Sequence, residues 1–244
     1  MQENMFSKRI ITIHALDEKT LSPIDFIKYL DAVKKIGYKF VTLDEIVLSD
    51  CKGLKLALTI DDAYKCVVTN LLPILQQYGI VATLFVPPGL LGLEANDPLL
   101  ISHNCYKDHD MMSVEDLRVW CDAGMKIGFH TNTHINMRDG FSECEIDEDF
   151  RCGLETLSVL GYNNLEHFAY PFGFTPKNKD FICQLMKKYG FKYAYTITAG
   201  DVNIKDPFVI PRVCLGNKSS LYWNVFKTLG LNDFYNHLKR KKYE

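Results

Sequence analysis

Short apolar runs rich in β-branched residues alternate along the chain with segments of helical period, which predicts strands and helices in turn. The predicted strands are residues 9–14, 54–60, 80–86, 125–129, 167–170, 192–198 and 207–213. A repeated strand–helix order favours parallel strands with helices packed outside them. We therefore predict an α/β fold with about seven parallel strands, and both an open doubly wound sheet and a barrel fit that order.

Capping residues predict where the intervening helices begin and end. Ser22 is a predicted N-cap with Pro23 at the first helical position, and a glycine ends this helix. Further helices are predicted over residues 66–78, 113–123 and 142–160, and a last one begins at Thr175 and Pro176. Residues 87–112 are rich in Pro, Gly, Asn and Asp, and such a long irregular segment is typical of a functional loop or lid.

Composition narrows the class of protein. With 244 residues and 47% hydrophobic content, the chain can bury a sizeable core, and we predict one domain over residues 1–244. A net charge of −2 gives no electrostatic basis for binding nucleic acid. The sequence shows neither an apolar signal segment nor 18 consecutive apolar residues, so we expect a cytoplasmic protein without a transmembrane segment. The basic run "HLKRKKYE" is expected to be a solvated tail, with contact to a membrane surface as the alternative.

Eight cysteines are scattered through the chain, and none forms a C-x-x-C pair. In the reducing compartment expected here they are predicted to be free thiols, mostly in the core. They therefore indicate neither a zinc knuckle nor a redox motif.

Polar side chains collect where predicted strands end. Asp61 and Asp62 follow the strand at 54–60, His130 follows the strand at 125–129, and His14 ends the first strand. The carboxyl ends of parallel strands are where α/β enzymes place their sites. We therefore expect these side chains to meet at one edge of the sheet.

The pair His130 and His134 can face one metal ion if the chain turns helically after the strand, although such a pair also occurs in structural turns. A carboxylate from another strand end would complete a His2Asp set with open coordination positions. Two adjacent acids such as Asp61 and Asp62 repel when buried together, unless a cation is present. The alternative is an N-cap Asp with a solvated companion. Together, the acids and imidazoles favour a metal site.

Three motifs carry a family resemblance. "TIDDAY" (59–64) is similar to a TFDDG motif, "HTNTH" (130–134) to H-[ST]-x-[ST]-H, and "AYPFG" (169–173) to R-x-P-Y-G. In order and separation they resemble the polysaccharide deacetylase family, also called carbohydrate esterase family 4 or the NodB homology domain. The resemblance implies a distorted (β/α) barrel that uses a divalent metal to remove acetyl groups from N-acetylated sugars.

The resemblance also implies residue roles. Asp62, His130 and His134 would hold one metal ion, with zinc as the default and cobalt, nickel or iron also suited to this ligand set. Asp61 would be the general base, and the backbone amide of Phe172 would help to hold the oxyanion. Thr131 and Thr133 are expected to orient the loop by hydrogen bonds. The predicted contacts with an N-acetylated saccharide or small-molecule substrate are Tyr64, Tyr170, Pro171 and Gly173.

The chain departs from the family pattern in three places. Ala169 replaces the motif Arg that pairs with the base, Ala63 and Tyr64 replace a Gly and are expected to narrow the acetyl pocket, and a late histidine motif is missing. Arg212 is the candidate replacement cation; otherwise it is a surface or helix-cap residue. His14 is the candidate proton donor, and a structural histidine is the alternative.

The remaining histidines are expected to lie outside the chemistry. His103 and His109 are predicted to be solvated loop residues, with substrate contact as the alternative; His167 is predicted at a strand edge, and His237 in an amphipathic helix. The changed pocket keeps two other functions open, namely hydrolysis of another C–N bond in a small molecule and non-catalytic saccharide binding. The sequence makes no prediction of oligomeric state.

Overall fold

The computed structural model describes residues 7–48, 53–102, 108–198, 200, 202, 206–216 and 220–231. Within these ranges eight strands form one sheet: β1 (Lys8–Ile13), β2 (Lys39–Phe40), β3 (Lys55–Ile60), β4 (Thr83–Val86), β5 (Lys126–Phe129), β6 (His167–Ala169), β7 (Tyr193–Tyr195) and β8 (Val213–Cys214). Eight α-helices accompany them in the same ranges: α1 (Pro23–Ile36), α2 (Leu43–Leu48), α3 (Leu72–Tyr78), α4 (Pro98–Ser102), α5 (Val114–Asp122), α6 (Glu143–Val159), α7 (Lys179–Lys188) and α8 (Leu221–Thr228).

The sheet runs in the order β7-β6-β5-β4-β3-β1-β8, and β2 pairs beside the first half of β3. Every pairing between these strands is parallel. The register of β1 against β3 aligns Ile13 with Ile60, so His14 and Asp61 leave adjacent strands at the same level. The predicted parallel α/β fold is therefore confirmed.

One segment near the end of the chain links the two edges of this sheet. Ile210 forms a parallel bridge with Tyr195 of β7, and β8 then pairs with β1. This link closes the sheet into a distorted (β/α) barrel, which resolves the choice between an open sheet and a barrel. Arg212 lies between the two pairings with 0% of its surface exposed, because the connecting segment presents it to the barrel interior.

Element boundaries differ from the prediction where side-chain capping decides them. Helix α7 begins at Lys179, not at Thr175 and Pro176, because the Asn178 side chain accepts hydrogen bonds from two backbone N–H groups of its first turn. The predicted helix 66–78 begins as a π-helix, Val67–Leu71, before α3. The short elements β2, α2 and α8 had not been predicted, since segments of two to eight residues carry little periodicity.

The cysteine prediction was half right. Six cysteines lie in the described ranges and all are free thiols, but none is buried: Cys144 and Cys183 are exposed and the others are partly exposed. Cys51, Cys105, His103 and His237 lie outside the described residues.

Over the ranges that the structure describes, no helix is both long and apolar enough to cross a membrane.

Candidate metal centre

Asp62, His130 and His134 converge at the carboxyl edge of the barrel. One ligand atom from each lies within 4.8 Å of the others, and all three residues are buried. The Nε2 atoms of both imidazoles are 3.3 Å from Oδ1 of Asp62. This oxygen is buried and makes no hydrogen bond to any residue that the structure describes.

The hydrogen bonds of His130 define which of its nitrogens faces the carboxylate. Its Nδ1 lies 2.7 Å from the backbone oxygen of Ala169, which can only accept, so Nδ1 carries the proton. The Nε2 lone pair therefore faces Oδ1 of Asp62, and two acceptors meet without a hydrogen between them. A divalent cation satisfies such an arrangement, so this donor set fits the predicted metal ion.

The surroundings of Asp62 and His134 favour the protonation states in which these side chains can bind a metal ion. Burial alone would raise the pKa of the Asp62 carboxyl, but contact with the imidazoles of His134 and His130 outweighs burial and holds the pKa well below its usual range. Burial lowers the pKa of His134, which favours the neutral ring that binds metal. Both shifts favour the protonation states that metal coordination requires.

The backbone around the ligands is strained. Asp62, Ala63, Thr131 and His134 have φ between 56° and 78°, in the left-handed region that L-residues with a Cβ rarely adopt. Each such residue costs about 1–3 kcal/mol and persists only when its surroundings hold it in place. The contacts that hold this loop therefore determine how well its ligands are placed.

Asp149 of α6 is the main anchor of the ligand loop. Its carboxylate accepts hydrogen bonds from the backbone N–H of Asn132 at 2.6 Å and of Thr133 at 3.1 Å, and from the Thr133 hydroxyl at 2.9 Å. On the other side, the N–H of Gly89 donates to the carbonyl of Asn132. Thr133 orients the loop as predicted, whereas the buried Thr131 hydroxyl has no partner within the described ranges, so that half of the prediction was wrong.

We expect Asp149→Asn to weaken metal binding by about 10–100-fold, the usual effect of losing a group that orients metal ligands. The amide replaces one acceptor oxygen by an N–H2 donor that faces the Thr133 N–H and hydroxyl. Calorimetric titration of the metal-free protein with zinc measures the change. Asp147→Asn is the matched control, because Asp147 lies on the same helix and pairs with Lys188 instead. Equal zinc affinity in both variants would contradict the role of Asp149.

Arg212 forms a buried ion pair with Asp61. Its two terminal nitrogens donate to the two carboxylate oxygens at 2.7 and 2.8 Å, and it also bonds to the Thr59 hydroxyl at 3.1 Å. Burial alone would raise the pKa of Asp61, but the Arg212 guanidinium outweighs burial and lowers it. Arg212 thus pairs with Asp61 in place of the motif arginine, whose position is occupied by Ala169. The alternative that Arg212 is a surface or helix-cap residue was wrong.

All six residues predicted for catalysis or metal binding line one cavity of about 250 Å³: His14, Asp61, Asp62, His130, His134 and Phe172. Tyr64, which is predicted to contact substrate, also lines this cavity. Tyr170 does not, because it is fully buried and its hydroxyl donates to the Phe208 carbonyl at 3.0 Å. Pro171 and Gly173 are buried outside the cavity lining, so the positions of these three residues do not support their predicted contact with substrate.

His14 lies beside both acids. Burial disfavours its charged form, but a hydrogen bond with the Cys214 side chain and the carboxylates of Asp62 and Asp61 outweigh burial and raise its pKa to about 10. A cation at the ligand set would offset the carboxylate charge and so reduce this effect. His14 is therefore a cavity residue, and its protonation depends on what the acids bind.

The prediction of a solvated loop for His109 was wrong. Its side chain is 14% exposed, its Nε2 lies 2.6 Å from Oδ2 of Asp17, and its ring centroid is 4.9 Å from that of Tyr64. No local pattern reveals this pair, because the two partners are 92 residues apart. His167 instead lies buried between Tyr195 and Asp44, away from the cavity lining.

A buried Asp-His-His set beside a second, ion-paired carboxylate, at the carboxyl edge of a distorted parallel barrel, is the arrangement that the motif resemblance implied. The chain belongs to the polysaccharide deacetylase family, whose sequence profile matches residues 50–194. No curated protein sequence matches the chain.

Solved structures show the same fold. The chain is similar to IcaB from Ammonifex degensii, with 20% identity and a TM-score of 0.75 over 91% of this chain and 97% of that one. It is also similar to the Streptococcus pyogenes deacetylase PplD in complex with acetate, with 20% identity and a TM-score of 0.71 over 93% of this chain and 99% of that one. The polysaccharide deacetylase BC0361 from Bacillus cereus matches at 19% identity and a TM-score of 0.69, over 90% of this chain and 68% of that one.

Proposed function

We propose that the protein is a divalent-metal-dependent hydrolase that removes an acetyl group from an N-acetylated sugar or saccharide precursor in surface-glycan metabolism. Family membership supports deacetylation. The observation that carries the metal dependence is the buried Oδ1 of Asp62, which faces two imidazole Nε2 atoms without a hydrogen bond in the described part of the chain. The cytoplasmic location stays a prediction from the sequence alone.

Asp62, His130 and His134 would hold the cation, and zinc is our first choice for this ligand set. When bound, a divalent cation supplies Lewis-acid chemistry: it lowers the pKa of water and polarises the acetamide carbonyl. Three protein ligands are the set found in catalytic rather than structural zinc sites, because such a set would leave coordination positions open for water and substrate.

Asp61 is the proposed general base. Its carboxylate lines the same cavity as the ligands but is committed to Arg212 rather than to the metal set. The ion pair keeps Asp61 charged near neutral pH and fixes the direction of its oxygens, so the carboxylate can take a proton from the attacking water. The same pairing reduces the basicity of Asp61, and the lower pKa of water beside a bound divalent cation would offset that loss.

The reaction also needs a hydrogen-bond donor for the developing oxyanion and a proton donor for the leaving amine. Phe172 lies in the cavity with φ of 58°, and we propose that its backbone amide helps to hold the oxygen on which negative charge develops. The leaving amine needs a proton, and among the residues that the structure describes two cavity imidazoles outside the metal set can supply it: His14 and His109.

Acetate release from purified protein tests this function. We expect turnover of N-acetylglucosamine or its oligomers when zinc is present, loss of turnover after treatment with dipicolinic acid, and recovery when zinc, cobalt or nickel is restored. Urea or ammonia release from a ureide panel, without acetate release, would favour hydrolysis of another C–N bond. Stoichiometric metal binding without turnover on either panel would favour a non-catalytic saccharide binder and contradict the proposal.

A further inference from the structure

A second cavity, of about 420 Å³, adjoins the catalytic cavity at the carboxyl edge of the barrel. Its lining comes from the segment that joins β1 to α1 and from the start of α8, which follows β8. Strand β1 pairs with β3 on one side and with β8 on the other, so the segments after these strands are neighbours. Thr20 lines both cavities. The second cavity therefore lies next to the place where the proposed reaction occurs.

The catalytic cavity is small for a saccharide. Its volume of about 250 Å³ is below the roughly 300–1,000 Å³ of ordinary small-molecule sites, and a metal ion and the attacking water must share it with the substrate. A saccharide whose acetyl group reaches Asp61 must therefore extend beyond this cavity. The neighbouring cavity can hold the next sugar unit of the chain.

The turn that carries Thr20 is fixed in place. Oδ1 of Asp17 accepts hydrogen bonds at 2.9 Å from the backbone N–H groups of Lys19 and Thr20 and from the Thr20 hydroxyl. Oδ2 of Asp17 lies 2.6 Å from Nε2 of His109, which lines the catalytic cavity. The boundary between the two cavities is thus held by contacts on both sides of one carboxylate.

Asn224 is the residue that points to a ligand in the second cavity. It lies in the first turn of α8, lines the cavity and is 3% exposed. Its Nδ2 donates to the Gly216 carbonyl at 3.4 Å, whereas its Oδ1 is buried and makes no hydrogen bond to any residue that the structure describes. A buried acceptor without a partner destabilises a fold. A ligand that brings an O–H or N–H group would satisfy this oxygen.

The lining favours a ligand that donates hydrogen bonds over one that is negatively charged. Glu18 and Asp25 contribute carboxylates, and in the described ranges no lysine, arginine or histidine lines the cavity. The Ser22 and Ser220 hydroxyls already cap α1 and α8, each accepting from a first-turn N–H group at 3.1 and 3.2 Å. These capped helix starts beside two carboxylates disfavour a phosphate group. Hydroxyl and ammonium groups suit the cavity instead.

We propose, building on the function above, that the second cavity binds a glucosamine unit, which has already lost its acetyl group, next to the N-acetylated unit in the catalytic cavity. The ammonium group of the glucosamine pairs with Glu18, because Lys28 lies 3.3 Å from Asp25 and offsets the charge of that acid. A hydroxyl group of the same sugar donates to Oδ1 of Asn224. The product of one turnover thus promotes hydrolysis of its neighbour in the same chain.

Two disaccharides test this subsite: one with two N-acetylglucosamine units, and one with a glucosamine and an N-acetylglucosamine unit, prepared in both orders. We expect kcat/KM for acetate release, per acetyl group, to be about two- to fivefold higher for the better mixed disaccharide, the effect of one exposed ion pair. The preference should fall as salt rises from about 0.05 to 0.5 M. Glu18→Gln should abolish it. Glu115→Gln, on the exposed face of α5, is the matched control and should retain it.

Asn224→Leu separates a binding role from a structural one. Leucine has a similar shape but no buried acceptor, so the variant should unfold at or above the wild-type temperature. Calorimetric titration with a disaccharide of two glucosamine units should show binding weakened by about two- to tenfold, the effect of one lost hydrogen bond. A lower unfolding temperature with unchanged affinity would overturn the role of Asn224 in binding.

The subsite is overturned if wild-type protein hydrolyses the two kinds of disaccharide equally well, if it prefers the fully acetylated one, or if the preference survives Glu18→Gln. Acetate release in any of these cases leaves the proposed function standing. If neither disaccharide releases acetate, the proposed function fails. The titration then decides on the subsite alone, since it measures whether Glu18→Gln weakens binding of the glucosamine disaccharide without requiring turnover.

Discussion

Asp61→Asn is expected to lower kcat for acetate release by about 10²–10⁴-fold, the usual contribution of a positioned general base. The Asn side chain keeps the shape of Asp61 and one acceptor oxygen for Arg212, but it cannot take a proton. Asp61 lies outside the group of residues whose ligand atoms converge, so zinc affinity should change only a few fold. Steady-state kinetics and calorimetric zinc titration on the same preparation measure the two quantities.

Asp62→Asn gives the contrasting result, since it removes a metal ligand and should lower zinc affinity and turnover together. Asp122→Asn, at the exposed end of α5, controls for the loss of one acid elsewhere on the protein. Retention of wild-type kcat by Asp61→Asn in zinc-loaded protein would show that another group is the base. Loss of zinc from that variant would assign Asp61 to the metal instead.

Arg212→Leu is expected to destabilise the protein by about 3–5 kcal/mol, because it leaves the buried Asp61 carboxylate without its partner. For a chain of this size the melting temperature should fall by roughly 6–20 °C. Urea unfolding of the chelator-treated protein measures the difference without a contribution from bound metal. The double variant Asp61→Asn/Arg212→Leu should recover part of the loss, because no unpaired charge then remains inside.

The loss of stability in Arg212→Leu should also depend on pH. The folded-state pKa of Asp61 is depressed, so its ion pair contributes stability above the unfolded carboxyl pKa of about 3.9, and this contribution is lost as pH falls through the folded value. The difference between wild type and Arg212→Leu should therefore be largest near neutral pH and shrink below about pH 4. A difference that stays constant from pH 7 to pH 3, or a double variant as unstable as the sum of the single ones, would contradict the buried pair.

The parts of the site that sequence predicted well are those encoded locally. His130 and His134 share one turn, and Asp61 and Asp62 share one strand end, so spacing alone brings each pair to the correct edge of the barrel. The helix starts at Ser113 and Ser142 were predicted for the same reason, since each is set by a capping box that spans four residues. Side chains that are only a few residues apart in the sequence stay close together in the fold, so a short motif predicts their proximity well.

The parts that sequence left open or missed depend on partners far along the chain. Arg212 was one alternative among several, because the strand pairings that place it beside Asp61 have no local signal. The Asp17–His109 pair and the Asp149 anchor were invisible for the same reason. Tyr170 differs in another way. Its substrate contact was predicted from motif position, but its hydroxyl donates to the Phe208 carbonyl, a position that does not support that contact.

Closure of the barrel by the segment around Arg212 has a consequence for how the chain acquires its structure. Arg212 meets Asp61 across 151 residues and Thr12 across 200. Contacts of such separation form late, because a large loop must close before they repay its entropy. A nascent polypeptide arrested on the ribosome short of residue 212 should hold an unneutralised acid in its interior, and protease digestion should find it loosely folded until that arginine emerges.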